Sequence, residues 1–421
     1  MRRIRNRWVS IKYKTLIGRI LVVLAVSGLF AINMSCARKG LVSENYPIEF
    51  YRVPKLLSDE RIENNPKFIV YGDNRPDWRV QEKFLKKENW LTWRVLLAPY
   101  WLGNGIVGGI NWLRHTPDYG RRERRVVRDS IYAEAKRSEV NFILNTGDMP
   151  NNGQRPSHWE TFLKENRVER PLLLEFPYIP VVGNHERVND SKYGLPNYQA
   201  IFPYPQFHVL DFPDAALFVV DSNLIIDQYE FVDDDEQDRL FEKWFVSSDS
   251  AQPAWLEREL ASRNKTFKMV AMHHPPISFG KHHGDWSKTS FGRNLNDKRR
   301  QLLELFIKHQ VQVVFCGHEH LYEHNALQYS SDGDKRQREI HFIVSGGGGV
   351  PLQDVKDAQT LERFRQNYRD AGLDVLSVKQ ENVFHYCLVN IDSDHITIEV
   401  FEVTGNSAQP VKLIDKIHIP K

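Results

Sequence analysis

Five apolar runs of one build recur along the chain: KFIVYGD ending at Asp73, VNFILNTGD at Asp148, YIPVVGNH at His185, FKMVAMHH at His274 and VQVVFCGH at His318. Each stays apolar for several residues and turns polar only as it stops. A strand buried on both faces of a parallel sheet reads this way. Between the runs the hydrophobic period lengthens to that of a helix. In QPAWLEREL, Pro253 suits a first helical turn, and Trp255, Leu256 and Leu260 follow on one side. Residues 297–309 place Leu302, Leu305 and Phe306 together ahead of the last run. Strands alternating with amphipathic helices predict an α/β fold, and no internal repeat interrupts the alternation.

Two stretches depart from this alternation. Residues 77–125 form an insertion that carries Trp78, Trp90, Trp93, Trp101 and Trp112, half of the ten tryptophans, and ends in the basic cluster RRERR. It reads either as a helical hairpin packed on the main domain or as a membrane-surface element, since tryptophan favours the bilayer interface and arginine the anionic head groups. The first 36 residues hold seven basic side chains and no acidic ones, and close with an uncharged apolar stretch from Ile20. That is the form of an export signal or a signal anchor. The stretch ends INMSC, similar to a lipobox at Cys36, so a signal peptide, a lipoprotein signal and an anchor all remain open. Each version leaves the catalytic domain outside the cytoplasm, and the lipoprotein and anchor versions make it the expected exported, membrane-attached protein on the periplasmic or extracellular side of a bacterial envelope. A lead-in at 37–66 then precedes a main domain at 67–421.

Charge changes the picture once the leader is set aside. The remainder carries 50 basic against 54 acidic side chains, so the slightly basic whole gives no ground for expecting nucleic acid as a partner. Cys316 and Cys387 fall inside predicted strands, where a disulfide framework is not expected.

The polar run-ends supply Asp73, Asp148, Asn184, His185, His273, His274, His318 and, two residues further on, His320. In open α/β sheets, groups at the carboxyl ends of strands converge on one crevice. Imidazole suits Zn, Fe and Ni, while carboxylate and carbonyl oxygen suit Mn and Mg, so this set predicts a metal site without choosing the metal.

The order of the pieces, YGD, NTGD, GNHE, MHH and GHEH, resembles the calcineurin-like metallophosphoesterase superfamily, whose blocks run DxH, GD, GNH[DE], H and GHxH over roughly residues 68–351. GNHE, GHEHLYE and SGGGG resemble its purple acid phosphatase branch. The resemblance implies a four-layer α-β-β-α sandwich behind the N-terminal export or anchor segment. It implies two divalent or trivalent metal ions (Mn, Zn or Fe), with Asp148 bridging, Asp73 and His320 on the first and Asn184, His273 and His318 on the second. Such a pair clamps the attacking and leaving oxygens and activates a hydroxide. His185 then matches the catalytic imidazole. The implied activity is hydrolysis of a phosphorylated small molecule, a phosphomonoester in preference, with a phosphodiesterase and a degenerate non-catalytic homologue as alternatives.

Two positions leave the family pattern. Arg75 stands where the first block has histidine, and since guanidinium cannot ligate a metal it is expected on substrate phosphate instead. Asn151 stands where the purple acid phosphatases have tyrosine, so no iron-tyrosinate chromophore is expected. His274 is open between a phosphate-side role and packing. His282 and His283 read as a solvated loop in preference to a substrate contact, the acidic run 233–238 as another, and 345–349 as a tight turn bringing backbone to the metal centre.

Overall fold

The computed structural model describes residues 52–53, 57, 64–76, 120–187, 194–226, 252–287, 289–290, 293–330 and 337–421. The leader, the tryptophans of the insertion and the acidic run lie outside the described residues, and so do the expectations placed on them. Among the described residues no helix is long and apolar enough to cross a membrane.

The chain begins one sheet, builds a second, and returns to finish the first. Strands β1 (Lys67–Tyr71), β2 (Phe142–Asn145) and β3 (Tyr178–Pro180) lie parallel, with Tyr71 opposite Asn145 and Asn145 opposite Pro180. The second sheet follows with β4 (His208–Asp211), β5 (Ala215–Val219), β6 (Phe267–Ala271), β9 (Val313–Cys316), β10 (Tyr322–Ser330), β11 (Gln337–Ser345) and β12 (Asp374–Glu381). The short β7 (Thr289–Ser290) and β8 (Arg293–Asn294) pair only with each other. Strands β13 (His385–Ile391), β14 (His395–Asn406) and β15 (Gln409–Pro420) complete the first sheet, in the order β15-β14-β13-β1-β2-β3. In the second sheet, of order β12-β10-β11-β9-β6-β5-β4, parallel pairing sets Val219 opposite Ala271 and Ala271 opposite Phe315. The parallel strands of each sheet therefore stop at one level.

Three apolar layers show why the runs are continuous. Alternate residues of β1, Phe68 and Val70, enter the space between the sheets beside Met269 and Phe315. Ile69 and Tyr71 turn to the outer face, under helices α1 (Arg121–Arg137) and α2 (Pro156–Leu163). On the far side, Val270, Val314 and Cys316 meet α3 (Gln252–Ser262), α4 (Leu295–Lys308) and α5 (Ala358–Asp370). The central strands β1, β2, β5, β6 and β9 are covered on both faces, which leaves them no polar side and gives the four layers the sequence implied, while β12 and β15 keep exposed polar positions. Cys316 and Cys387 are buried and free.

Two helical details differ from the sequence reading. Helix α4 starts at Leu295, and its buried face runs through Leu302, Leu303 and Phe306, leaving Leu305 only half-buried. In α3, Leu256 and Leu260 are fully buried, whereas Trp255 lies half-buried at the edge, 4.8 Å from the Phe207 ring. The described end of the insertion is the first turn of α1. There Arg124 makes a two-pronged contact with Glu165 at 2.6 and 3.0 Å, and Arg121 pairs with Glu169 at 2.7 Å. Only Arg122 and Arg125 of the basic cluster are exposed and outside such pairs.

Candidate metal centre

The carboxyl ends of β1, β2, β3, β6 and β9 open into one buried crevice. Asp73 accepts a hydrogen bond from the His318 backbone N–H at 2.9 Å, and Asp148 Oδ1 accepts one from the His185 N–H at 3.0 Å. Asp73, Asp148 and His318 all adopt positive φ, at 54°, 59° and 71°. Left-handed backbone at three non-glycine residues is costly, and it persists where the surroundings hold a functional geometry. Close approach explains the flanking glycine at 147: a Cβ there would lie 2.7 Å from His273 Nδ1.

The far nitrogen of each imidazole determines what its near nitrogen offers. His273 Nδ1 donates to the Thr146 carbonyl at 2.7 Å, His320 Nδ1 to the Pro351 carbonyl at 3.0 Å, and His185 Nδ1 to the Asn151 carbonyl at 2.6 Å. A carbonyl only accepts, so these three rings carry their proton on Nδ1 and turn a bare Nε2 inward. His318 is the reverse. Its Nε2 donates to the Asp285 carboxylate at 3.0 Å and its bare Nδ1 points inward.

Each inward lone pair meets another acceptor. His273 Nε2 lies 2.9 Å from Asn184 Oδ1 and 3.3 Å from Asp148 Oδ1, His318 Nδ1 lies 3.2 Å from Asn184 Oδ1, and His320 Nε2 lies 3.6 Å from Asp73 Oδ1. Acceptors facing acceptors call for a cation between them. Asp73 Oδ1 is itself buried without a hydrogen-bond partner, and Asp73, Asp148 and His273 bring ligand atoms within 4.8 Å of one another. The residues present therefore fit metal ions held by imidazole and carboxylate, with each histidine oriented from behind by a carbonyl or carboxylate.

Electrostatics agree with this fit. Burial, reinforced by the charge of Asp148, raises the Asp73 carboxyl well above its usual range. Burial would also raise Asp148, but His185 and His273, in the acid range where those rings take up a proton, together with Arg75 outweigh it and hold it well below. Burial, with Arg75 nearby, lowers His185 to about 4, and burial lowers His318 to about 3, so both rings are neutral at neutral pH.

Arg75 is buried with Nε 3.5 Å from Asp148 Oδ2, and His185 Nε2 lies 3.8 Å from the same oxygen. His274 stays beside the centre: its Nδ1 meets Ser222 Oγ at 2.8 Å, its Nε2 is buried without a hydrogen-bond partner, and His273, His274 and His318 each bring a ring nitrogen within 4.8 Å of the others. The His274 ring centroid is 4.4 Å from that of His318 and 4.9 Å from that of His273, so it packs against both ligand rings. Asn151 donates to the Pro76 carbonyl at 3.0 Å.

Glu186, directly after His185, accepts backbone N–H groups from Gly183, Asp148 and Met149 at 2.7, 3.0 and 2.7 Å and so ties the second and third blocks together. The turn at 345–349 does bring backbone to the centre. A Cβ on Gly346 would collide with the Glu319 carbonyl and sit 2.9 Å from Asp73 Oδ2.

The loop holding His282 and His283 turns both rings inward, although Lys281 and Gly284 are exposed. The His282 ring lies 4.1 Å from that of His318, and its Nδ1 is 3.1 Å from Asp285 Oδ2. His283 is buried, stacked 3.8 Å from Phe364. Backbone anchoring draws the loop inward, since Glu319 accepts the N–H of Lys281 and of His282 and the hydroxyl of Ser278. Sequence reading missed Asp285 and Ser222. The one signal for Asp285 was a carboxylate three residues after His282, and Ser222 had none.

The calcineurin-like phosphoesterase family model matches residues 120–322, a span that holds Asp148, Asn184, His185, His273, His318 and His320 but not Asp73 or Arg75. The tartrate-resistant acid phosphatase type 5 of Sus scrofa is 24% identical over 325 residues, which cover 73% of this chain and 85% of that protein. A probable inactive purple acid phosphatase 1 of Arabidopsis thaliana is 22% identical over 276 residues, 59% of this chain and 41% of the plant protein. Among solved structures, the purple acid phosphatase PPD1 from yellow lupin seeds shares the fold with a TM-score of 0.53 and 14% identity, covering 85% of this chain and 54% of that one.

Proposed function

The chain belongs to the calcineurin-like phosphoesterases, on the purple acid phosphatase side of that superfamily, and from that premise we propose that it is an exported hydrolase of small phosphomonoesters. The observation that carries this reading is the set of bare imidazole nitrogens after β6 and β9 aimed at Asp73, Asp148 and Asn184 after β1, β2 and β3. Asp148, Asp73 and His320 suit one ion, and Asp148, Asn184, His273 and His318 a second. A metal pair bound there polarises the phosphoryl oxygens and supplies a nucleophile at neutral pH. Arg75 offers its guanidinium to a phosphate oxygen beside Asp148. His185, its Nδ1–H fixed by the Asn151 carbonyl, presents Nε2 toward the same region for proton transfer with the leaving oxygen.

Export rests on the basic and apolar leader, and attachment on Cys36 or on the apolar stretch itself. Cell fractionation of the native protein and of Cys36→Ser tests both, and soluble cytoplasmic protein would end the proposal.

Purified enzyme loaded with Mn, Zn or Fe and assayed on p-nitrophenyl phosphate and bis-p-nitrophenyl phosphate tests the activity. Faster hydrolysis of the monoester is expected. A preference for the diester reassigns the substrate class, and no turnover with either, in metal-loaded protein, favours a non-catalytic homologue, as the name of the plant relative, a probable inactive phosphatase, has it for that protein.

A further inference from the structure

Away from the metal centre, a cavity of about 560 Å³ opens between α4 and α5, a size ordinary for a small-molecule site. Asn296, Arg299 and Arg300 line it from α4, and Asn367 and Tyr368 from α5. Arg299 is only 4% exposed. Its Nη2 donates to Asn296 Oδ1 at 2.8 Å, and its guanidinium carbon lies 5.2 Å from the Tyr368 ring centre. No carboxylate among the described residues comes within ion-pair distance of it. The two acidic groups at the cavity are committed elsewhere, Asp297 to Arg300 at 3.7 Å and Asp370 to Gln366 at 2.7 Å.

A guanidinium carries five N–H donors, and burying it without an opposite charge is expensive. Buried arginines are ordinarily matched, as Arg124 is by Glu165 in this same protein. The opposite wall is polar as well. Asn367 donates one amide N–H to His283 Nε2 at 3.3 Å, and its carbonyl oxygen has no partner among the described residues.

We propose that the cavity between α4 and α5 is a second ligand site, which takes a small organic anion with its carboxylate or phosphate on Arg299 and a polar group against Asn367. The planar fork of Arg299 selects a two-oxygen anion over a halide, and the cavity has room for a carbon skeleton beyond the charged group. The site shares no residue with the metal centre, so it stands whether or not the phosphomonoesterase reading holds.

Calorimetric titration of the metal-loaded enzyme with succinate and with methylphosphonate tests this. Methylphosphonate occupies the metal centre too, so a carboxylate-selective cavity gives one site for each probe and a phosphate-selective one gives two for methylphosphonate alone. Arg299→Met should weaken cavity binding roughly tenfold to a hundredfold while leaving p-nitrophenyl phosphate hydrolysis at its native rate. Asn367→Leu keeps the guanidinium in place and should weaken the same binding severalfold, which preserves the test if Arg299→Met misfolds. Affinities for both probes unchanged in the two variants, or no succinate binding together with a single methylphosphonate site in the native enzyme, would overturn the proposal.

Discussion

At the scale of the residue, most of the centre was legible because its polar groups fall at the ends of apolar runs, where chain order alone brings them to one crevice. Asp285 was not legible, since it acts from a loop and its partner His318 is 33 positions away. His274 shows the same limit: two adjacent histidines follow β6, and only the structure shows Ser222 beside the second. For His185, truncation to Ala should lower kcat by roughly a hundredfold or more with metal content unchanged, because its Nε2 faces the phosphate side while its Nδ1 is held by a carbonyl. Metal analysis and kinetics on one sample check this, and lost metal would make His185 a ligand. For Arg75, replacement by Ala should cost roughly tenfold to a hundredfold in kcat/KM with metals retained, and Lys should restore only part, lacking the fork. Full efficiency in Arg75→Ala at subsaturating substrate would remove the phosphate contact.

At the scale of the element, turns and sheet faces carry demands that a hydrophobic pattern does not display. The turn after β11 is one. Gly346→Ala should push against the Glu319 carbonyl and Asp73 Oδ2 together, lowering both the melting temperature and the affinity for one metal, as metal titration alongside a melting curve would reveal. The inner face of β10 and β11, toward the other sheet, is another, where His324 Nε2 and His341 Nδ1 lie 3.0 Å apart. Burial, then the charge of His324, lowers His341 to about 4. A histidine depressed in the folded state contributes stability that is complete above its unfolded value near 6.5 and is lost as pH falls from there toward 4. Between pH 7 and 5 this costs about 2 kcal/mol, and His341→Gln should flatten that part of the stability profile in denaturant titrations. An equal acid dependence in the variant would show that His341 is not the group concerned.

At the scale of the whole molecule, continuous apolar runs announced strands covered on both faces, and a sandwich with a helical layer outside each sheet follows from that demand. The return of the chain to finish the first sheet with β13, β14 and β15 was not legible, because nothing in an alternating antiparallel strand says which sheet edge it will join. The architecture matters to function because it stops five parallel strands of two sheets at one crevice, with Asp148 in contact with groups from both. Asp148 therefore carries the central claim. The most direct measurement is metal content and p-nitrophenyl phosphate turnover of Asp148→Asn beside the native enzyme after identical metal loading. The account predicts two ions per native chain, at least one lost in the variant, and turnover falling with it; a variant that keeps both ions and native turnover would contradict it.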